Sequence, residues 1–194
     1  VEKCNFTNMR MPSIKSSINT KTILITEVTI ERQISIENQP SHSIECSSTN
    51  EFDIEKSKII SSGGIYFNSN ANIAKQITIK DIEFEGNKYG IILHPTSNSN
   101  IGLENFHLEN FKFKRTQRSL DLKIINYEIF INQGLIEECS NELFEIRDDN
   151  KIHGIIEFTL CENSNNKNII FTGIELIKNQ YSEYKTKAII FQEC

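Results

Sequence analysis

Short runs in which apolar and polar residues alternate recur along this chain at an almost constant spacing. Segments 77–87, 101–111 and 169–179 share the form apolar-x-apolar-x-(Asp, Asn or Gly)-apolar-x-apolar, closing on a turn that contains Asn. Alternation with a period of two is typical of half-buried strands. The landmarks of the recurrence are isoleucines at steps of 22 to 24 residues: Ile30, Ile54, Ile77, Ile101, Ile124, Ile146 and Ile169.

A fixed period of this length indicates stacked repeats. With several short strands in each repeat, the unit that fits is one coil of a parallel β-helix. A β-sandwich also has frequent turns, but it does not require equivalent residues at a fixed step. We therefore predict an all-β fold, a parallel β-helix of about seven coils of 22–24 residues. It forms a single domain, 1–194, with 1–22 as an N-terminal cap or irregular segment and 23–191 as coils.

The composition agrees with strands and excludes several classes of protein. Among 194 residues there are 34 Ile and 22 Asn but only 3 Ala and 2 Val. Ile is β-branched and suits strands, whereas Ala is the best helix former. A net charge of -5 argues against a nucleic-acid partner. The apolar runs are far too short for a membrane-spanning helix.

Five cysteines are more than a cytosolic domain of this size usually carries, and they are Cys4, Cys46, Cys139, Cys161 and Cys194. There is no Cys-x-x-Cys pair, so we expect no zinc site. The preferred interpretation is disulfides in an oxidising compartment, with scattered free thiols as the alternative. Cys139 and Cys161 lie one coil apart and form the best candidate pair. Cys4 and Cys46 form a second candidate, which leaves Cys194 for a bond between chains.

Two further features concern asparagines and secretion. Asn87, Asn110 and Asn132 follow one another at steps of 23 and 22, which predicts a ladder of stacked amides at one corner. Coincidence in an Asn-rich chain is the alternative. Asn5 begins an N-glycosylation sequon, and the chain opens at Val1 without an initiator Met, so we expect a processed, secreted segment.

One segment resembles a known family. Residues 61–67 read SSGGIYF, and residues 84–87 read FEGN. They resemble the GGA-(I/L/V)-Y and F-x-x-N repeats of polymorphic outer-membrane-type surface proteins and of related protist extracellular proteins. In this chain Ile65 follows the glycines directly, where the family has Ala, and only one repeat carries the glycine pair. The resemblance implies a right-handed β-helix of the pectin-lyase-like superfamily, displayed outside the cell.

That superfamily includes polysaccharide lyases and hydrolases, so an active site has to be considered. Glycoside hydrolysis requires two carboxylates that face one cleft. The tightest polar cluster lies in segment 147–154 and offers Asp148, Asp149 and His153. The Asn-Thr-Asp and Arg-Ile-Lys elements of polygalacturonases are absent from the sequence. A charged turn is therefore the preferred interpretation, with no cofactor and no metal.

A short basic patch is the remaining candidate for binding, and its residues are Lys112, Lys114, Arg115 and Arg118. It suits an anionic glycan, although lysines that protect a strand edge are commoner. We predict a non-catalytic structural or adhesive protein at the cell surface, a rod or a filament subunit. It would associate end to end or with other surface proteins. The alternatives are a carbohydrate-active enzyme and a glycan-binding module.

Overall fold

A computed structural model describes residues 1–7, 12–16, 20–31, 42–46, 49–69, 76–95, 105–116, 118–124, 128–139, 153–160, 168–177, 179 and 186–193. In chain order these residues form β1 (Asn5–Thr7), β2 (Ile14–Lys15), β3 (Thr20–Thr26), β4 (Thr29–Glu31), β5 (Ile44–Cys46), β6 (Thr49–Ile60), β7 (Ile65–Ser69), β8 (Gln76–Glu85), β9 (Tyr89–Pro95), β10 (Asn105–Lys114), β11 (Arg118–Ile124), β12 (Glu128–Glu137), β13 (His153–Leu160), β14 (Asn168–Ile177) and β15 (Thr186–Glu193). None of the described residues belongs to a helix that could cross a membrane.

The strands lie in two sheets, and all their pairings are parallel. The first sheet has the order β1-β4-β6-β8-β10-β12-β14, with β3 also paired to β6, and the second has the order β2-β5-β7-β9-β11-β13-β15. Apart from β3 and β4, successive strands alternate between the sheets. Parallel strands need a crossover, and here each crossover runs through a strand of the other sheet. This confirms the prediction of an all-β fold with parallel strands, and it is consistent with a β-solenoid.

The core lies between the sheets and consists of apolar rows that run from strand to strand. On β8 the inward residues, from Ile77 to Phe84, are at most 2% exposed. Phe84 stacks on Phe113 of β10 with 4.9 Å between ring centroids. Phe52 of β6 meets Phe67 of β7 edge to face at the same centroid distance, which joins the two sheets. Burying one such side chain contributes about 1.5–3 kcal/mol.

The long strands of the first sheet bend at one residue with left-handed backbone geometry. These residues face one another across the sheet, with φ between 49° and 64°, and we call them the left-handed row: Lys3, Glu27, Lys56, Asp81, Asn110, Gln133 and Gly173. The bend shifts the alternation by one residue. On β8, Ile79 and Ile82 both face inward while Asp81 is exposed. In segments 77–87 and 169–179 the left-handed residue, Asp81 or Gly173, stands at the Asp, Asn or Gly position of the sequence motif. In segment 101–111 that position is Asn105, whereas the left-handed residue is Asn110.

The predicted uniform period is wrong. Ile77 pairs with Phe106, 29 residues later, and not with Ile101. Phe106 in turn pairs with Ile129 after 23 residues, and Ile129 pairs with Ile169 after 40. The connections between strands vary in length, and Phe or Leu takes the inward position as readily as Ile does. A count of isoleucines therefore could not follow the true register.

The N-terminal segment contributes to both sheets. β1 pairs with β4, and Asn5 lies opposite Thr29. β2 pairs with β5, and Ile14 lies opposite Ile44. Residues 1–22, which we expected to form a cap or an irregular segment, thus include the first strand of each sheet.

Candidate functional site

A groove of about 700 Å³ runs along the outer surface of the first sheet. One wall is the left-handed row from Glu27 to Gly173. The other wall consists of the residues two positions later: Thr29, Lys58, Glu83, Lys112, Leu135 and Glu175. The floor consists of the residues between the walls: Ser57, Ile82, Phe111 and Gly134. The groove therefore follows from the shared bend of the strands.

At the floor of the groove, a large side chain on β10 packs over a glycine on the neighbouring strand β12. The side chain of Phe111 is only 3% exposed, and the paired residue on β12 is Gly134. A Cβ atom added to Gly134 would lie 2.1 Å from Cζ of the Phe111 ring. The ring therefore fills the space that a side chain at position 134 would need.

Several charged groups near the groove are paired across strands. The Nζ atom of Lys58 lies 3.3 Å from a carboxylate oxygen of Glu83 and 3.3 Å from one of Glu85. Partial burial opposes the charged form of Lys58, but the hydrogen bonds to the two carboxylates outweigh it and raise the Lys58 pKa. The same hydrogen bond lowers the pKa of Glu85. These cross-strand pairs leave little net charge on that wall.

The basic patch is also neutralised by neighbouring strands. Lys112 and Lys114 of β10 lie 4.0 and 3.8 Å from a carboxylate oxygen of Glu137 on β12. Arg115 forms an ion pair with Glu85 of β8. The side chain of Arg118 lies outside the described residues. The three described cations are thus part of a ladder of opposite charges and do not form a separate anion-binding patch.

The residues that line the groove offer polar contacts but no evident nucleophile. The lining contains no His and no Cys, and its hydroxyl groups belong to Thr29 and Ser57. The Ser57 hydroxyl donates to the carbonyl of Glu55 at 2.8 Å and accepts from the amide of Val28 at 3.1 Å. That hydroxyl therefore has a structural role. The groove is suited to an extended, hydrophilic ligand with little net charge, because donors and acceptors repeat at the strand spacing.

The catalytic candidates fall largely outside what the structure describes. Asp148 and Asp149 lie outside the described residues. The backbone of His153 begins β13 and pairs with Thr186 of β15, but its side chain is outside the description. Within the described part of the chain, no group of three or more His, Cys, Asp or Glu is placed to hold a metal ion.

The described cysteines carry free thiols: Cys4, Cys46 and Cys139. The predicted Cys4–Cys46 bond is therefore absent from the structure; Cys4 precedes β1 in the first sheet, whereas Cys46 ends β5 in the second. Burial raises the pKa of Cys46 to about 11 and also raises the pKa of Cys139. Cys161 and Cys194 lie outside the described residues. Because Cys139 carries a free thiol, the structure does not contain the predicted Cys139–Cys161 bond, whereas the role of Cys194 stays a prediction.

The three asparagines of the predicted ladder occupy three different positions, so they do not stack. Asn87 is buried at the corner after β8, Asn110 belongs to the left-handed row, and Asn132 lies opposite Glu109. The amide of Asn110 donates to Asp81, its neighbour in that row. The expected steps of 23 and 22 fail because the true steps between strands are unequal.

The structure instead repeats a different asparagine contact. Asn87 accepts from the backbone amide of Ser62 at 2.9 Å and donates to the carbonyl of Ile59 at 2.9 Å.

Asn179 makes the same pair of contacts at the other end of the fold. It accepts from the amide of Cys139 at 2.8 Å and donates to the carbonyl of Ile136 at 2.9 Å. Each asparagine thus holds the corner of the preceding strand in the first sheet. The sequence repeat had already aligned these two asparagines, since segments 77–87 and 169–179 end on them, but it did not predict these contacts.

The glycosylation candidate lies at an exposed position. Asn5 and Thr7 are exposed on β1, while Phe6 between them is half-buried against the core. The sequon therefore spans the first strand of the first sheet. Its modification stays a prediction.

Comparison with known proteins gives no match to a family model, to a curated protein or to a solved structure. Assignment to the pectin-lyase-like superfamily therefore rests on the sequence resemblance and the parallel sheets, and it stays a proposal.

Proposed function

We propose that this chain is a non-catalytic structural or adhesive protein of the cell exterior. In this proposal it is a right-handed parallel β-helix of about seven coils, related to the pectin-lyase-like superfamily. The observation that carries the proposal is the pair of parallel sheets around one continuous apolar core. Such a solenoid gains stability along its axis as strands are added, and it requires no loop to become ordered for its function.

The outer surface of the first sheet supports the same proposal. Many of its charges form cross-strand pairs, as Lys80 does with Glu109 at 3.2 Å, so opposite charges on this surface largely offset one another. A catalytic site usually contains groups with strongly shifted pKa values that face one cleft. In the described part of the chain the most strongly shifted pKa is that of Cys46, a thiol buried in the core. A repetitive polar face suits contact with partners more than chemistry.

The location is tested by labelling intact source cells with a membrane-impermeant amine reagent. Lys3 and Lys15 have side chains that are 67% and 60% exposed, so both should react. The expected result is labelling before lysis, with a cytosolic protein as the unlabelled control. Labelling that appears only after lysis would contradict the proposal.

The absence of catalysis is tested with a panel of acidic and neutral polysaccharides. We expect no reducing sugar and no unsaturated product beyond that of the heat-denatured protein. Turnover that the substitution Asp149→Asn abolishes would establish the alternative, a carbohydrate-active enzyme.

A glycan-binding module is the second candidate, and the groove is the observation that favours it. Its walls present carboxylates, amides and ammonium groups along one line. If the groove binds oligosaccharides, Lys112→Ala should weaken binding at least tenfold in calorimetry. The matched control is Lys15→Ala, because Lys15 also pairs with a carboxylate, Glu45 at 3.1 Å, but lies on the second sheet. Equal effects of both substitutions would argue against the groove.

A further inference from the structure

The exposed apolar side chains of the described residues are concentrated at the two ends of the stacked sheets. Three of the five large ones lie on β14, the last strand of the first sheet: Leu176 at an inward position, and Ile170 and Ile177 at outward positions. Another, Leu24, lies at an outward position on β3. Val1, which is 52% exposed, precedes the first strand at the opposite end. Leu176 is 39% exposed, although Ile136 occupies the same row on β12 and is fully buried. Leu176 is thus exposed because no described strand covers β14.

The strands at the N-terminal end carry the first residues of the same inward-facing apolar rows. Cys4, Phe6 and Ile14 at this end, and Ile174 and Ile189 at the other, pack against the core but are only partly buried. Parallel strands with unpaired backbone groups are templates for further strands. Among the described strands, each end of the stack therefore presents a half-covered apolar edge.

We propose that a second copy of this chain docks the edge of its β1 on β14, which continues the first sheet from one copy to the next. This inference rests on the proposed structural function and adds the partner. The left-handed row fixes the register, because Lys3 and Gly173 both have the bend, with φ of 50° and 64°. With Lys3 opposite Gly173, the inward side chain of Phe6 meets that of Leu176.

The same register matches the remaining half-covered residues. In the first sheet Cys4 of one copy lies opposite Ile174 of the other. In the second sheet β2 would follow β15, which places Ile14 opposite Ile189, since both belong to the row that contains Ile44. The joint therefore brings apolar side chains together at inward positions of both sheets.

The contact is heterologous, and every added copy presents a new β14. Repetition without closure produces a filament. The seven strands from β1 to β14 in the first sheet span only about 29 Å at about 4.8 Å per spacing.

A register-specific crosslink tests the joint. Ile174→Cys places a thiol opposite the native Cys4 of the next copy, and the strand spacing lies within the Cα range of a disulfide. Within one copy these positions lie at opposite ends of the sheet. Mild oxidation should therefore give a ladder of covalent multimers on non-reducing gels, at least tenfold above the unsubstituted chain. The double substitution Ile174→Cys with Cys4→Ser should remove the ladder.

The matched control is Thr172→Cys, at an exposed position on the same strand that lies opposite Glu2 in the proposed register. We expect at least tenfold less crosslinking from it. Equal crosslinking from Thr172→Cys would mean non-specific association and would overturn the register. No multimer that depends on Cys4 would overturn the joint, and the edge would then belong to another occupant.

Sedimentation of the uncrosslinked protein gives an independent measurement. The unsubstituted chain should form concentration-dependent multimers, and Leu176→Lys should reduce the association constant at least tenfold, because it places a charge in the joint. A melting curve by circular dichroism confirms that this variant folds. Uniform monomers of the unsubstituted chain at every concentration would refute the joint. Surface labelling of cells would be unaffected by that result, so failure of the joint and failure of the proposed function are distinguishable.

Discussion

Replacement of Gly134 by alanine tests the packing beneath the groove. Gly134 is not among the residues with positive φ, so alanine is compatible with its backbone. At such a site Gly→Ala usually stabilises a protein by about 0.4–1 kcal/mol through the unfolded state. Here, however, the new Cβ would lie 2.1 to 2.5 Å from three atoms of the Phe111 ring. Steric overlap therefore opposes the usual gain.

The size of the expected destabilisation depends on how tightly the Phe111 ring is packed. Phe111 is buried and packs against Phe113 at 5.3 Å between centroids, so it cannot move away without displacing a second ring. Overpacking of this kind costs about 1–3 kcal/mol. Gly→Ala stabilisation through the unfolded state offsets part of this cost. We therefore expect Gly134→Ala to lower the free energy of unfolding by about 1–2 kcal/mol.

The assay is a double-mutant cycle measured by urea denaturation with circular dichroism. Phe111→Leu removes the ring atoms that the new methyl group would meet. In that background Gly134→Ala should be neutral or stabilising, which gives a coupling of about 1–2 kcal/mol between the two positions. Additive effects, or stabilisation by Gly134→Ala in the unsubstituted protein, would refute the reasoning. Either result would mean that Phe111 does not lie over Gly134 and that the β10–β12 register is incorrect.

Three further predictions concern a corner, an ion pair and a thiol. Asn87→Ala should lower the free energy of unfolding by about 3 kcal/mol in urea denaturation, because it leaves two buried backbone groups without partners, whereas Asn110→Ser at an exposed position should cost less. Glu85 has a pKa below its ordinary value of 4.5, so its ionised form stabilises the fold above that pH and the contribution disappears as the pH falls through the folded pKa. The stability difference between the unsubstituted chain and Glu85→Gln should therefore shrink below pH 4.5 and in high salt; a constant difference would contradict this. The Cys46 thiol should resist maleimide at pH 8 in the folded protein and react rapidly in urea, because burial raises its pKa to about 11; rapid labelling of the folded protein would contradict its burial.

The local features of the strands were predictable from the sequence. The alternation in 77–87 correctly gives Ile77, Ile79, Ile82 and Phe84 as inward, and it places the interruption at Asp81. These features depend on the side-chain period of two and on one tolerant turn residue. Both act over a few neighbouring residues, so a single segment is enough to reveal them.

The candidate site was much less predictable. Asp and Asn tolerate left-handed geometry, but Lys56 and Gln133 share it without any local preference for it. Their conformation is imposed by the neighbouring strands, because a strand that did not bend at this position would lose its ladder of hydrogen bonds. The groove formed by these bends therefore has no signature within one segment.

The sequence by itself determined that this protein is built from half-buried strands and which faces of many strands point inward. Only the tertiary structure decided which strands are neighbours, and it placed Ile77 beside Phe106 and Ile129 beside Ile169. The physical reason is that the cost of closing a connection rises only slowly with its length. Unequal connections are therefore tolerated, and the register is set by the packing of the inward rows and by the shared bend, which are contacts between residues distant in the chain.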